Sequence, residues 1–241
     1  MVSDTMNRYQ NAWESFWGTL TGEPHEVLWN VSRELAVALD FERFKDLIAL
    51  NNLPLVDVGC GDGTQTRFFS DHVQHTIGVD VSSRAIEIAR SQTIPSNLEY
   101  RVLDILDKAS CQAFHRETGD VNIYMRGVLM QFLPPDRLIA VNNLRLLMGM
   151  KGYLYLKELR PETKAYYASI IKEQGMPSGF ARVLKHGITP GGISQEDINI
   201  LFPSDQFEII REGKHVMNTI IPQVAGGIAK APAFYMVVKS L

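Results

Sequence analysis

The chain has little cysteine, no long apolar run and no strong excess of either charge. Among its 241 residues only Cys60 and Cys111 are cysteines, with no CxxC spacing. That excludes a disulfide framework and a structural zinc cluster, and it points to a reducing compartment, the cytoplasm. No apolar stretch approaches the roughly 18 residues of a membrane span. The first residues, Met1-Val2-Ser3-Asp4, lack the basic and apolar regions of a secretory signal. Lys and Arg number 24 against 27 Asp and Glu, a net charge of −3. A backbone of phosphates calls for a basic surface, so nucleic acid is not the expected partner. What is present is ordinary globular material: 45% hydrophobic and 21% charged residues. The length suits one core, and we expect a single domain over 1–241.

Along the chain, strands and helices alternate. Trp13, Phe16, Trp17 and Leu20 recur at helical spacing, and a second helix is expected over Ser32 to Leu50. Pro54 then introduces the apolar run Leu55-Val56-Asp57-Val58, which stops at Gly59 and has the pattern of a buried parallel strand. Further strands are expected at 76–80, 98–103, 121–125 and 152–158. Helices are expected at 63–72, from Ser82 as N-cap, at 109–118, at 134–148 and from Pro161 to Gln174. Residues 175–193, with five glycines and two prolines, are expected to form a loop. Ser194-Gln195-Glu196-Asp197 resembles a capping box. Segments 207–217 and 234–238 have no crossover helix between them, so they should pair as an antiparallel hairpin. The fold expected is α/β, doubly wound, with a mostly parallel seven-stranded sheet and an antiparallel C-terminal hairpin.

Ligands of such sheets lie beyond the carboxyl ends of the strands. Gly59, Asp80, Asp104 and Arg126 all fall at those ends. The segment Val56-Asp57-Val58-Gly59-Cys60-Gly61-Asp62-Gly63-Thr64 follows a strand and opens a helix. Its glycines permit positive φ and close approach of a ligand to the backbone. The spacing is Gly-x-Gly-x-Gly, not the Gly-x-Gly-x-x-Gly of dinucleotide binders, which counts against an NAD-dependent oxidoreductase. Asp80, closing the next strand, can accept two hydrogen bonds from a ribose diol, and Asp104 can accept one from an adenine amino group.

Val56–Thr64, taken with Gly78-Val79-Asp80-Val81-Ser82, resembles the class I S-adenosylmethionine-dependent methyltransferases, and the resemblance runs over residues 53 to 160. It implies that Gly59, Cys60, Gly61 and Gly63 pass beneath the methionine part of S-adenosylmethionine. By the same resemblance Asp57 orients the loop and helps hold the ammonium group. Asp80 and Val81 meet the ribose, and Asp104 and Ile105 the adenine. Asp120–Leu129 matches the segment bordering the transferred methyl. Gln131 and Phe132 stand where many small-molecule members carry histidines. No Asn-Pro-Pro-Tyr sequence occurs, which disfavours transfer to base or glutamine amino groups. No carboxylate cluster for a metal is apparent.

On the acceptor side, residues 1–50 are expected to form a helical cover and 160–193 an inserted lid. Trp13, Trp17 and Tyr166 are the candidate acceptor contacts, beside Tyr9 and Tyr167. His186, in a glycine-rich setting, is a candidate base because its ordinary pKa lies near neutrality. Arg126 is placed to bind the cofactor carboxylate or an acidic acceptor, or else to pair with Glu158 on the next strand. The expected function is methyl transfer to a small-molecule acceptor, O-methylation favoured, in secondary metabolism. An RNA methyltransferase and a non-catalytic cofactor-binding protein are the alternatives.

Overall fold

The structure, a computed structural model, describes residues 2–21, 26–189, 191–224 and 226–241, with side chains from residue 8 onward. Its sheet has seven strands: β1 (Leu55–Val58), β2 (Thr76–Asp80), β3 (Leu98–Val102), β4 (Asn122–Arg126), β5 (Tyr153–Leu159), β6 (Phe207–Pro222) and β7 (Ile228–Ser240). Their order is β3-β2-β1-β4-β5-β7-β6. Strands β1 to β5 are parallel, and β7 is antiparallel to both β5 and β6. The doubly wound sheet with its C-terminal hairpin is as expected, though both hairpin strands are longer than the apolar runs that mark them.

Helix α1 (Val2–Gly18) precedes two short helices, α2 (Leu39–Glu42) and α3 (Lys45–Ala49). The crossovers and flanks supply α4 (Thr66–Ser70), α5 (Ser83–Ser91), α6 (Lys108–Thr118), α7 (Pro134–Met148), α8 (Thr163–Gln174), α9 (Ser178–Lys185) and α10 (Gln195–Leu201). Ser82 caps α5 by accepting from the Ala85 N–H, and Ser194 with Asp197 forms a capping box at α10.

Three local expectations are corrected. The helix expected over 32–50 is broken into a π turn at Glu34–Ala38, α2 and α3. Phe44 leaves helical geometry at φ −138°, ψ −3° and is fully buried, its ring 5.0 Å from Tyr155 and 6.2 Å from Tyr124. Packing of that ring outweighs continuation of the helix. The helix expected over 63–72 covers only Thr66–Ser70, because Gly63 still has φ +73°. Residues 178–185, expected as loop, form α9. The glycines there fall mostly outside the helix, Pro177 stands at its N-cap, and Val183 and Phe180 give it an apolar face. Glycine count outweighed periodicity in that expectation.

The two faces of the sheet have different cores. Val56, Val58, Ile77, Val79, Ile123, Met125, Leu154 and Leu156 pack with Phe114, Leu144 and Phe16. Leu55, Tyr124, Tyr155 and Val237 pack with Phe41, Phe44 and Phe69. Beneath that second layer the fully buried Asp40 accepts from Tyr124 Oη (3.0 Å), Tyr155 Oη (2.8 Å) and Lys157 Nζ (3.1 Å). Burial, only partly offset by Asp40, pulls the Lys157 ammonium down to about 8. This network ties the broken 34–49 segment to β4 and β5.

Candidate active site

At the carboxyl edge of β1–β4 the chain leaves a cleft, the place a parallel sheet reserves for ligands. From the first strand comes the glycine loop. Gly59, Gly61 and Gly63 have φ of +74°, +56° and +73°. A Cβ on Gly59 would collide with Val128, and one on Gly61 would stand 2.8 Å from Trp17 Cζ2. Only bare backbone fits between the loop and its cover. Gly59, Cys60 and Gly61 line the cleft. Gly63 does not; it packs against Tyr100, whose hydroxyl donates to the Gly63 carbonyl at 3.2 Å. Burial pushes the Cys60 thiol well up, away from the thiolate form that a nucleophile needs.

The acids at the strand ends divide into two kinds. Asp80 accepts from the N–H of Gly61 (Oδ2, 3.0 Å) and of Ser82 (Oδ1, 2.9 Å), which fixes its carboxylate at the cleft wall with lone pairs to spare. Burial raises it to about 6 against the pull of those bonds. Asp104 lines the cleft, accepts from the Leu106 N–H at 2.8 Å and is likewise raised by burial. Val81 and Ile105 complete this wall. Asp57 lies behind the loop instead. It accepts from Thr66 Oγ1 at 2.6 Å, burial raises it to about 7, and it does not line the cleft.

The β4 side depends on a buried acid for which the sequence reading offered a different partner. Glu158 is fully buried and accepts the N–H groups of Val128 (3.0 Å), Leu129 (2.8 Å) and Met130 (3.1 Å). It holds the 3₁₀ turn Leu129–Gln131, and burial raises it to about 7. The expected Arg126–Glu158 pair is therefore corrected. Arg126 is in register with Lys157, and alternation turns Glu158 to the opposite face of the sheet. Arg126 Nη1 donates to Gln65 Oε1 at 3.1 Å, and both residues line the cleft.

Helix α1 forms the outer wall through Tyr9, Trp13 and Trp17, with Trp29 behind. Ring centroids of Trp13 and Trp29 are 5.6 Å apart, edge to face. Two anchors fix the helix. Glu14 accepts from Ser82 Oγ (3.0 Å), Ser83 N–H (2.8 Å) and Arg84 N–H (3.1 Å) at the start of α5. Tyr9 Oη donates to Asp136 (2.7 Å) and accepts from the Leu133 N–H (2.9 Å) at the start of α7. Asn30, donating to Asp62 at 2.6 Å, and Met130, Phe132 and Met217 close the remainder.

Two expected acceptor residues stand elsewhere. His186 contacts Ser15 Oγ (Nδ1, 2.8 Å) and packs on Phe16, on the far side of α1. Tyr166 Oη accepts from Gln223 Nε2 (2.6 Å) and the Lys230 N–H (2.8 Å) at the hairpin. Among the described residues, none from 160–193 lines the cleft. Of the residues missed, Gln65 follows the glycine motif by one position and extending the motif would have found it. Glu14, Trp29 and Met217 carry no local signal.

A family model described as a methyltransferase domain matches residues 55–152. A SAM-dependent methyltransferase from Anabaena variabilis ATCC 29413 is 37% identical. Its structure superposes with a TM-score of 0.90, covering 97% of this chain and 95% of that one. This chain belongs to the class I S-adenosylmethionine-dependent methyltransferases. Magnesium protoporphyrin IX methyltransferase from Synechocystis PCC 6803, with S-adenosylhomocysteine bound, shares the fold at 13% identity and TM-score 0.58, covering 98% of each chain. A ubiquinone biosynthesis O-methyltransferase from Actinobacillus pleuropneumoniae serotype 7 (strain AP76) is 28% identical over 120 residues. That match spans 48% of this chain and half of that protein.

The methyltransferase's cofactor is S-adenosylmethionine, and the residues present fit it. The loop is stripped of side chains where a Cβ would fill the cradle, and two acids stand fixed at the ends of β2 and β3. No helix among the described residues is long and apolar enough to cross a membrane.

Proposed function

We propose that this methyltransferase acts on a small molecule held between the glycine loop, the β4 turn and α1, with O-methylation the favoured transfer. Asp80 and Val81 bind the ribose of the cofactor, Asp104 and Ile105 its adenine, and Gly59–Gly61 lie along its amino-acid end. Asp57 and Gly63 support that loop from behind. When bound, S-adenosylmethionine would supply an electrophilic methyl; the acceptor oxygen is already anionic in a carboxylate, and in a phenol its proton would pass to solvent. The protein's task is then alignment and exclusion of water.

The observation that carries this reading is the aromatic wall. Tyr9, Trp13, Trp29 and Phe132 line the cleft together with Trp17, which stands over Gly61 of the loop, a setting for a compact, partly apolar acceptor beside the cofactor. The relative from ubiquinone biosynthesis, an O-methyltransferase by name, supports oxygen as the acceptor atom. The test is a panel of phenols, carboxylic acids, thiols, amines and RNA transcripts, following S-adenosylhomocysteine release and product mass. A methylated small oxygen acid or phenol bears out the reading. Methylation of RNA alone overturns it.

A further inference from the structure

Among the described side chains that line the cleft, Asp62, Asp80 and Asp104 are acids and Arg126 is the one cation. Only part of its guanidinium is used by the protein. Nη1 donates to Gln65, whereas Nε and Nη2 are buried without a partner, as is Gln65 Nε2. Nε and Nη2 form one edge of the guanidinium, the edge whose two parallel N–H groups match the two oxygens of a carboxylate. The acids nearby are committed elsewhere. Glu158 is turned to the other face and filled by three backbone N–H groups. Asp57 feels the charge of Arg126 but is bonded to Thr66. Lys157, in register beside Arg126, is bonded to Asp40.

The position of this unfilled edge matters as much as its chemistry. Arg126 ends β4, one strand beyond β1 to β3 whose ends carry the glycine loop, Asp80 and Asp104. The next residue, Gly127, also lines the cleft and has the Met130 and Met217 side chains against it, both of which line the cleft too. We propose that the acceptor is a carboxylic acid, its carboxylate gripped by Arg126 Nε and Nη2 with Gln65 Nε2 as third donor, and its apolar body set against the aromatic wall. This rests on the small-molecule reading above. It narrows that reading to acids and makes Arg126 a specificity residue.

S-adenosylmethionine also carries a carboxylate, so the experiment separates the two sources. S-adenosylhomocysteine and 5′-methylthioadenosine, which lacks the amino-acid end, are titrated into wild type, R126K and R126Q. Benzoate, phenylacetate and cinnamate, each beside its amide, are then titrated into the S-adenosylhomocysteine-saturated proteins. We expect at least one acid to bind wild type about tenfold or more tighter than its amide. R126Q should erase that preference, R126K should restore part of it, and all three proteins should bind S-adenosylhomocysteine within about threefold of one another. Retained methylthioadenosine binding shows that R126Q is folded.

The proposal is overturned if no acid outbinds its amide, or if R126Q leaves the preference intact. It is also overturned if R126Q weakens S-adenosylhomocysteine about tenfold while sparing methylthioadenosine, since the guanidinium then belongs to the cofactor. Failure of wild type to bind S-adenosylhomocysteine would instead strike the cofactor assignment, and transfer to RNA alone the small-molecule reading.

Discussion

In the cofactor half of the cleft, Gly59, Cys60, Gly61, Asp80, Val81, Asp104 and Ile105 all sit at or just past the ends of three neighbouring strands. In the half proposed for the acceptor, Tyr9, Trp29, Arg126 with Phe132, and Met217 arrive from four separated stretches of chain. The first half is fixed by backbone: positive φ in the loop, and N–H groups that clamp Asp80 from two sides. The second half is fixed by side chains acting at long range, Glu158 on the β4 turn and Glu14 and Tyr9 on α1. A backbone device works wherever the strand order recurs. A side-chain device has to be assembled from the whole chain, and the acceptor half is accordingly where such a protein can change its substrate.

The largest effect should come from the cofactor half. Asp80→Ala removes the acceptor for two backbone N–H groups and, on the proposed assignment, for the ribose. Each hydrogen bond to a charged group is worth about 1.5–3 kcal/mol. S-adenosylhomocysteine affinity should fall by about a hundredfold or more, read by calorimetry. Retention of binding within tenfold would mean that the clamp is not the cofactor's anchor.

Glu158→Ala should act in the opposite half. It leaves three buried N–H groups unpaired, at about 1–3 kcal/mol each, so thermal stability should drop measurably. The β4 turn loosens while the glycine loop stays clamped by Asp80. Turnover should fall about tenfold while S-adenosylhomocysteine affinity changes only a few-fold. Equal losses in both would show that the two halves are not independent.

The contrast between the halves also explains what the sequence disclosed. The strand segments, the loop and the acids Asp80 and Asp104 were legible because each depends on neighbours within a few residues: a Val-rich run, a glycine after it, an acid at the next strand's end. The placement of Tyr166 and His186 was not. Both stand in suggestive company in the sequence, yet α8 and α9 turn them to the hairpin and to the outside of α1. Glu158 hid for the same reason. An acid at the end of a buried strand is expected to be paired, and only the register shows its partner to be backbone rather than Arg126.

Glu14→Gln tests the seam where the halves meet. Glu14 caps α5 directly after Asp80 and Ser82, and the bonds from Ser83, Arg84 and Ser82 hold its carboxyl below the usual range against its own desolvation. A negative charge at a helix N-terminus is worth about 0.3–1 kcal/mol. Loss of that charge should release α1 and speed S-adenosylhomocysteine dissociation a few-fold in stopped flow, with little change in melting temperature. An unchanged rate would show that α1 is not the gate of the cofactor half.

A smaller effect separates Asp57 from Asp80 by pH. Burial raises the Asp57 carboxyl from 3.8 to about 7. Between these values the unfolded chain ionises the group while the folded chain still holds its proton. Folding therefore loses stability from this residue as pH rises through that window, and none beyond it. Asp57→Asn removes the term. Without cofactor, the melting temperature of the variant relative to wild type should climb from about pH 4 to about pH 7 and then level off. A flat difference would mean that the folded chain ionises Asp57 over the same range as the unfolded chain, so that burial does not hold its proton.

The smallest effect is expected at His186. Its ring lies against Phe16, with Ser15 Oγ at Nδ1 and Thr19 Oγ1 at Nε2, and α1 stands between it and the cleft. Burial, with Lys185 and Arg182 beside it, lowers its pKa, so near neutral pH it is an uncharged contact between α9 and α1. A general base must come within hydrogen-bond reach of the proton it removes. His186→Ala should therefore change kcat less than about twofold and leave the pH profile of transfer in place, while costing about 1 kcal/mol of stability from lost packing and hydrogen bonds. A loss of the alkaline-side activity in this variant would bring α9 to the reacting atoms, and the boundary drawn here between the acceptor half and its outer support would fall.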